Sequence, residues 1–297
     1  MKKIVSFFGL GDMGLPMANN LIQAGYVVQG YDPIKKRRDL LHKKGGLVFN
    51  NQQKAALKAN FVFIMIMNGK QIISIIKGKK SILKYVAKDA LVIMNSTVKY
   101  SEIIKIAKIC TDHNILLVDC PVSGGQIGSI SGKLTLMCGC SSEILLKAKP
   151  ILKKIASKIY HVGKKPGDGQ TIKAALQCLQ AGYFCSIFES LILGSKVGIK
   201  GKVMLDVFSN SNGDSRLLRN VIPLILDRRF KNTGSKITTM NKDINIAQNL
   251  AKNLGIELPV LNLSKKLFRK GIESFPNEDN WSIIKLMEKE NKTKINK

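Results

Sequence analysis

The sequence predicts a doubly wound α/β sheet over residues 1–163, followed by an all-helical domain over residues 164–297. Three observations carry this. Short β-rich runs alternate with amphipathic segments as far as "KIYHVG", which ends at Gly163. Beyond "HVGKKPGDG" the strand pattern stops and a helical period takes over. A glycine-rich turn, "GLGDMG", stands directly after the first β-rich run, where a strand-turn-helix unit begins.

In order, the β-rich runs are "KIVSFFG", "YVVQGYD", "LVFN", "FVFIMIM", "LVIMNS", "ILLVDCP", "KLTLMCG" and "KIYHVG". Amphipathic stretches lie between several of them, at Met13 to Ala24, Ile34 to Lys44, Ser101 to His113 and Glu143 to Ala156. Alternation of this kind gives a mainly parallel sheet with helices on both faces. The second half reads as helices at Thr171 to Val197, Gly201 to Ser209, Ser235 to Leu254, Pro259 to Lys270 and Asp279 to Glu290. The closing "NKTKINK" has no apolar period and reads as a frayed end.

A chain of 297 residues that is 45% hydrophobic is long enough for two domains with their own cores. Its longest unbroken apolar run, Phe61 to Met67, is far short of the roughly 20 residues a membrane-crossing helix needs, so a soluble protein without membrane partners is expected. The start of the chain runs straight into "IVSFFGLG", which leaves no room for a cleavable leader, and a cytoplasmic location is the expectation. Six cysteines contain no CxxC pair, and His42, His113 and His161 stand at no metal-ligand spacing, so the cysteines read as reduced packing residues and no metal is expected.

The net charge of +28 raises the question of nucleic acid. Only seven of the 48 basic residues are arginine, the side chain that base-reading sites favour, and no zinc-finger or RNA-binding signature is present. The lysines are spread along the chain with many isoleucines and asparagines, a mixture that AT-rich codons produce. Specific nucleic-acid binding is therefore not expected, while loose attraction to polyanions at low salt is.

The glycine turn carries the first chemical signal. In GxGxxG spacing, Gly9 permits the tight turn, Gly11 lets a pyrophosphate approach the backbone, and Gly14 lets the next helix pack on the strand. Leu10, Asp12 and Met13 complete a loop that would hold the phosphates against a helix N-terminus. The second strand ends in Asp32, placed to accept hydrogen bonds from the ribose hydroxyls of NAD and to repel the 2'-phosphate of NADP. Lys35, Lys36, Arg37 and Arg38 come directly after and would suit that phosphate, so NAD is expected with NADP as the alternative.

Three later stretches add to it. "DCPVSGG", Asp119 to Gly125, comes after a strand and offers a serine hydroxyl and glycine N–H groups at the carboxyl edge of the sheet, a loop suited to a carboxylate. "GDGQTIKAALQ" opens the long helix and puts Lys173 and Gln177 four residues apart on one face. "MNKDINIA" places Lys242 and Asp243 on a later helix, where they read as an exposed charge pair.

Taken in this order, "GLGDMGLPMANNL", "NSTV", "DCPVSGG", "GDGQTIK", "MNKD" and "EDNWSIIKLMEKE" resemble the β-hydroxyacid dehydrogenase family, to which 3-hydroxyisobutyrate dehydrogenase belongs, over essentially the whole chain. The resemblance implies a Rossmann domain, a helical domain like that of 6-phosphogluconate dehydrogenase, and a homodimer or homotetramer. It implies oxidation of a small hydroxy-acid substrate, with Lys173 catalytic, Ser123, Gly124 and Gly125 holding the substrate, and Thr97 and Lys242 contacting the cofactor. Lys173 would take the hydroxyl proton as hydride leaves, with Gln177 orienting the substrate oxygen or the amine. A lysine in water is a poor base at neutral pH, and burial beside other cations is the physical route to a better one.

The family commonly carries two asparagines at the third and fourth positions after this lysine, where this chain has Leu176 and Gln177. The glutamine, "GSKITTMNKD" and "FPNEDNWSIIK" are similar to the L-threonate dehydrogenase branch, while Leu176 departs from it. The alternatives are a reductase of tartronate or succinic semialdehyde, a 3-hydroxyisobutyrate dehydrogenase, and a non-catalytic relative that binds nucleic acid.

Overall fold

In the computed structural model, which describes residues 2–297, the chain packs into two compact units that divide in sequence between Lys173 and Ala174. The first unit contains β1 (Ile4–Phe8), α1 (Gly14–Gln23), β2 (Val27–Tyr31), α2 (Lys35–His42), β3 (Leu47–Val48), α3 (Gln52–Ala56), β4 (Phe61–Ile64), α4 (Gly69–Ile76) and β5 (Leu91–Met94). It continues with α5 (Tyr100–Asp112), β6 (Leu116–Asp119), β7 (Val122–Ser123), α6 (Gly125–Ile130), β8 (Leu134–Gly139), α7 (Ser142–Leu152) and β9 (Ala156–Gly163). The long helix α8 (Asp168–Lys196) begins in this unit and runs into the second, which adds α9 (Gly201–Ser209), α10 (Arg216–Leu226), α11 (Ile237–Asn253), α12 (Pro259–Ser274) and α13 (Ile284–Glu290). The division falls later than the end of the strand pattern because the first turn of α8 is hydrogen-bonded to the sheet edge at Asp119.

The sheet order is β3-β2-β1-β4-β5-β6-β8-β7, with β9 beside β8. The first six strands are parallel and take the Rossmann order, with its reversal between β1 and β4. Beyond β6 the sheet changes direction: β8 is antiparallel to β6, β7 is antiparallel to β8, and β9 runs parallel to β8.

The near-continuous apolar runs result from burial on both faces. Phe61 and Phe63 of β4 and Leu91 and Ile93 of β5 belong to one core, while Val62, Ile64, Val92 and Met94 belong to the other. Phe7 and Phe63 stack across β1 and β4 with ring centroids 5.5 Å apart. Cys110, Cys120, Cys138 and Cys140 are buried free thiols, and burial pushes Cys110 up to about 12.

Several short helices have weak sequence signals. α3 and α6 are too short for a periodic stripe, α4 carries one at Gly69, Ile72, Ile75 and Ile76 over only two turns, and α10 is masked by the polar "SNSNGDS" before it and by Pro223 within it. α10 nevertheless buries Leu218, Val221, Ile222 and Ile225, and the Ser215 hydroxyl caps it by accepting from Leu218 N at 3.0 Å. α8 is, by length and composition alone, long and apolar enough to cross a membrane. Within the helical unit its Ala181, Phe184, Phe188 and Leu191 are core residues.

The end of the chain departs from the frayed tail that its polarity suggested. Ile295 is buried in the helical core, its N–H donates to Glu288 Oε1 at 3.0 Å, and Gly201 N donates to Asn296 O at 2.7 Å. One isoleucine among lysines and asparagines has no periodicity, yet it fills a site beside Leu226 and Gly201.

Ile295→Ala is expected to destabilise the helical unit by about 2–4 kcal/mol, the usual cost of truncating a buried isoleucine. Trp281, the single tryptophan, is buried in the same core and reports the loss by fluorescence during urea unfolding. A change below about 0.5 kcal/mol would show a tail that carries no packing.

Candidate active site

The glycine loop between β1 and α1 is built by contacts that leave little choice of residue. Gly9 has φ +95°, and a Cβ there would overlap the Met65 carbonyl. A Cβ on Gly14 would overlap the Gly9 carbonyl, so the close start of α1 requires glycine as well. Gly11 is different: a Cβ there would meet nothing closer than Arg37 Cζ at 4.0 Å. The protein itself does not fill the space above Gly11, which is the cradle a pyrophosphate needs. No side chain caps the N-terminus of α1 and no acid lies in its first turn, so its N–H groups are suited to an anion. Leu10 and Gly14 are buried, Met13 is half-buried and Asp12 is exposed.

Asp32 lies one residue beyond β2 and is 2% exposed. Its Oδ2 accepts from Leu10 N at 2.9 Å and from Arg37 Nη1 at 3.4 Å, and its Oδ1 accepts from Ile34 N at 2.9 Å. The carboxylate therefore fixes the glycine loop to the turn before α2. Of its roughly four acceptor positions, about one is left for a ribose hydroxyl. Arg38 turns back onto the carbonyls of Asp32 and Pro33 at 2.5 and 3.1 Å.

Thr97 and the turn at Ser123 to Gly125 come after the carboxyl ends of β5 and β6. Thr97, half-buried, comes after β5 in a loop pinned on both sides. Asn95 Nδ2 donates to Cys120 O at 2.8 Å, and Ser96 Oγ accepts from Ile66 N at 2.7 Å. Ser123 is the last residue of β7, paired with Thr135 of β8. Gly124 (φ +125°) and Gly125 then turn the chain into α6, a backbone path that L side chains rarely adopt. α6 is tied to the glycine loop, because Ser129 Oγ donates to Met13 O at 2.6 Å and Asn20 Nδ2 donates to Ser129 O at 2.8 Å.

Lys173, 7% exposed, lies on α8 just past its first turn. The start of this helix is held against the sheet so closely that a Cβ on Gly169 would stand 2.7 Å from Met137 O and 2.8 Å from Asp119 O. Asp119, fully buried, accepts from Gly167 N at 2.8 Å and Gln170 N at 3.1 Å through Oδ2, and from Gln170 Nε2 at 2.7 Å through Oδ1. Burial pushes this carboxyl up to about 6, against the lowering effect of the bonds it accepts. Asp119 and Gln170 stand inside "DCPVSGG" and "GDGQTIK", yet the sequence alone gives neither a role. Their only signal is position, an acid at the end of β6 and a glutamine in a helical first turn.

In the helical unit, Gln177 is 6% exposed and donates from Nε2 to Asp243 Oδ2 at 2.6 Å. Asp243 is 4% exposed, with Lys242 Nζ 3.0 Å from its Oδ1. This corrects the reading of Lys242 and Asp243 as an exposed pair. The signal was available: Met240, Asp243, Ile244 and Ala247 are all buried, spaced three and four apart along α11, so Asp243 falls on the inward stripe.

Two family models cover the chain, one described as the NAD binding domain of 6-phosphogluconate dehydrogenase over residues 4–163, the other as the NAD-binding region of NADP-dependent 3-hydroxyisobutyrate dehydrogenase over residues 167–287. The chain is 30% identical over 286 residues to 2-(hydroxymethyl)glutarate dehydrogenase of Eubacterium barkeri, covering 96% of this chain and 94% of that one. It is 26% identical over 284 residues to L-threonate dehydrogenase of Escherichia coli, covering 95% and 94%. In three dimensions it matches the 3-hydroxyisobutyrate dehydrogenase of Mycobacterium tuberculosis solved with L-serine, with a TM-score of 0.88, 26% identity, and coverage of 97% and 99%.

Gly11→Ala is expected to fold with a melting temperature close to wild type, since its Cβ meets nothing closer than 4.0 Å, while affinity for the dinucleotide falls at least about tenfold, a loss of about 1.4 kcal/mol. Calorimetric titration with NAD and NADP checks this, and unchanged affinity would place the phosphates elsewhere. A second expectation concerns Asp119. Its folded carboxyl binds a proton more readily than in the unfolded chain, so its contribution to stability is full below about pH 4 and is lost as pH rises through about 6. The stability of the wild type relative to Asp119→Asn should therefore rise by up to about 3 kcal/mol as pH falls from about 7 to about 4. A difference that stays flat across that window contradicts the raised carboxyl.

Proposed function

Since the chain belongs to the NAD(P)-dependent hydroxy-acid dehydrogenase family that includes 3-hydroxyisobutyrate dehydrogenase, we propose that it oxidises a hydroxyl of a small L-threonate-like hydroxy acid, with Lys173 as general acid and base. The observation that carries this is the anchoring of α8: Lys173 is buried three residues beyond a glutamine bonded to the carboxyl edge of the sheet. The relatives' named substrates, 2-(hydroxymethyl)glutarate and L-threonate, each combine a carboxylate with a hydroxyl on a nearby carbon. That is the pattern a carboxylate-holding loop and a proton-accepting amine would recognise together.

The residues divide the work. Gly9, Leu10, Gly11, Asp12, Met13 and Gly14, with Asp32 beneath them, form the dinucleotide cradle; Thr97 is a further cofactor contact, and Lys242 has that role by the family resemblance alone. The nicotinamide ring, when bound, supplies the hydride acceptor. Ser123, Gly124 and Gly125 hold the substrate carboxylate by hydroxyl and backbone N–H donation, which fixes the carbinol carbon in position. Lys173 Nζ takes the hydroxyl proton in the oxidising direction and returns it in the reducing one. Gln177, whose amide nitrogen donates to Asp243, has by the family resemblance the role of orienting the substrate oxygen or the lysine. Reduction of a semialdehyde uses the same groups in reverse.

Assembly as a homodimer or homotetramer belongs to the same proposal. Leu179, Leu193, Val260 and Leu263 of the helical unit are each more than half exposed, which a second copy would cover. The high positive charge is read as dispersed, with no specific nucleic-acid partner and no membrane; any attraction to DNA should fade as salt rises to physiological strength.

Lys173→Ala is expected to lower kcat by about three orders of magnitude or more while leaving affinity for NAD within about threefold, the pattern of a lost proton-transfer group. The test is a spectrophotometric panel of threonate, glycerate, 3-hydroxyisobutyrate and 4-hydroxybutyrate with each cofactor. Near-normal turnover by the variant would remove Lys173 from the chemistry. Asp32→Ala should raise KM for NAD more than KM for NADP; equal shifts would confine Asp32 to holding the loop.

A further inference from the structure

We propose that Asp119 and Gln170 act as a positioning clamp that sets Lys173 and the Thr97 loop in register with each other; the role rests on the dehydrogenase reading above. One buried carboxylate and one buried amide, 0% and 2% exposed, join three separate motifs. Asp119 Oδ2 takes the N–H groups of Gly167 and Gln170, at 2.8 and 3.1 Å, and so fixes the start of α8. Asp119 Oδ1 takes Gln170 Nε2 at 2.7 Å. The same amide reaches across to the loop after β5, where Nε2 donates to Ser96 O at 3.1 Å and Oε1 accepts from Val98 N at 2.9 Å.

Thr97 lies between those two backbone contacts, and Lys173 lies one turn beyond Gln170 on the same helix face. The amide is thus a polar link that registers the loop at 95–99 against the start of α8. Both side chains are fully engaged, and each sits with a fixed donor or acceptor sense: Asp119 accepts three bonds, and Gln170 must present its nitrogen to Asp119 and its oxygen to Val98. A network satisfied in only one arrangement holds its members in one geometry. A shift of about 1 Å in a reacting group costs on the order of a hundredfold in rate, so the clamp acts on kcat through Lys173 without touching substrate.

The polarity of the pair gives a test. Gln170→Glu places two carboxylates at the 2.7 Å contact, and Asp119→Asn sets an amide nitrogen against the donating Nε2 of Gln170. The double variant Asp119→Asn/Gln170→Glu reverses the direction of the bond between positions 119 and 170 but restores a donor–acceptor match at every contact except the one to Ser96 O. The amide introduced at position 119 keeps its oxygen toward the two N–H groups and donates from its nitrogen to the carboxylate introduced at position 170. Each single variant is expected to lose about 30-fold or more in kcat with KM for the hydroxy acid within about threefold. The double variant should exceed the product of the single effects by at least about tenfold. Failure of the double variant to recover, or single variants with normal kcat, overturns the clamp.

Hydrogen exchange separates this from the functional reading, since it needs no substrate. In Gln170→Leu, exchange at Val98, Gly167 and the amide of residue 170 should rise together by about tenfold or more. If Val98 alone changes, or none does, the three motifs are not held by one device. A wild type that turns over no hydroxy acid while this exchange pattern holds would overturn the functional reading and leave the clamp standing.

Discussion

The constraint on which the candidate site depends is the close approach of one helix to one sheet edge. The N-terminus of α8 comes down on the ends of β6 and β8 with no room for a side chain at Gly169, and its first N–H groups end on a carboxylate that the sheet presents. A helix leaves its first four N–H groups without intrahelical partners, so burying that end demands acceptors, and Asp119 supplies them from inside the core. Burial drives this carboxyl upward while the bonds it receives hold it down, so the same contacts that seat the helix also set the proton affinity of its anchor. One turn beyond Gln170 on α8, the buried Lys173 takes its place from that anchor.

A second set of ties works at the other end of the same edge. Asp32 joins the glycine loop to the turn before α2, and Ser129 joins it to α6, whose start is the turn at Gly124. The loop read as holding the phosphates and the loop read as holding the carboxylate are thus tied to one another within the first unit. Gly11 stands apart in this tightly packed neighbourhood because nothing from the protein occupies the space over it. A residue kept small where the fold does not require it points to an outside occupant, and the first strand-turn-helix of a Rossmann sheet is where a diphosphate is held.

Much of this was legible in the sequence because it rests on local rules. The alternation of β-rich runs with amphipathic segments pointed to the parallel sheet, and double-sided burial explains why "FVFIMIM" and "LVIMNS" read as continuous rather than alternating. The glycine spacing, Lys173 and Ser123 were likewise visible as motifs. The parts that escaped are those decided by contacts between distant residues. Ile295 has no period to announce it, Asp119 and Gln170 act through partners dozens of positions away, and the reversal of β8 depends on pairing that no short window contains. Asp243 is the instructive case. Its burial accords with the stripe of α11, but a charged pair invites the assumption of exposure, and the spacing was overruled by residue type.

The proposed chemistry requires that a substrate held by Ser123, Gly124 and Gly125 present its hydroxyl to Lys173. A crystal structure with NAD and a hydroxy acid bound tests this directly. The diphosphate should lie over Gly11, and the carbinol oxygen should stand within roughly 2.6–3.2 Å of Lys173 Nζ, with the substrate carboxylate on the loop at 123–125. A carbinol oxygen out of hydrogen-bond reach of that amine, with the ligands otherwise in place, would contradict the mechanism.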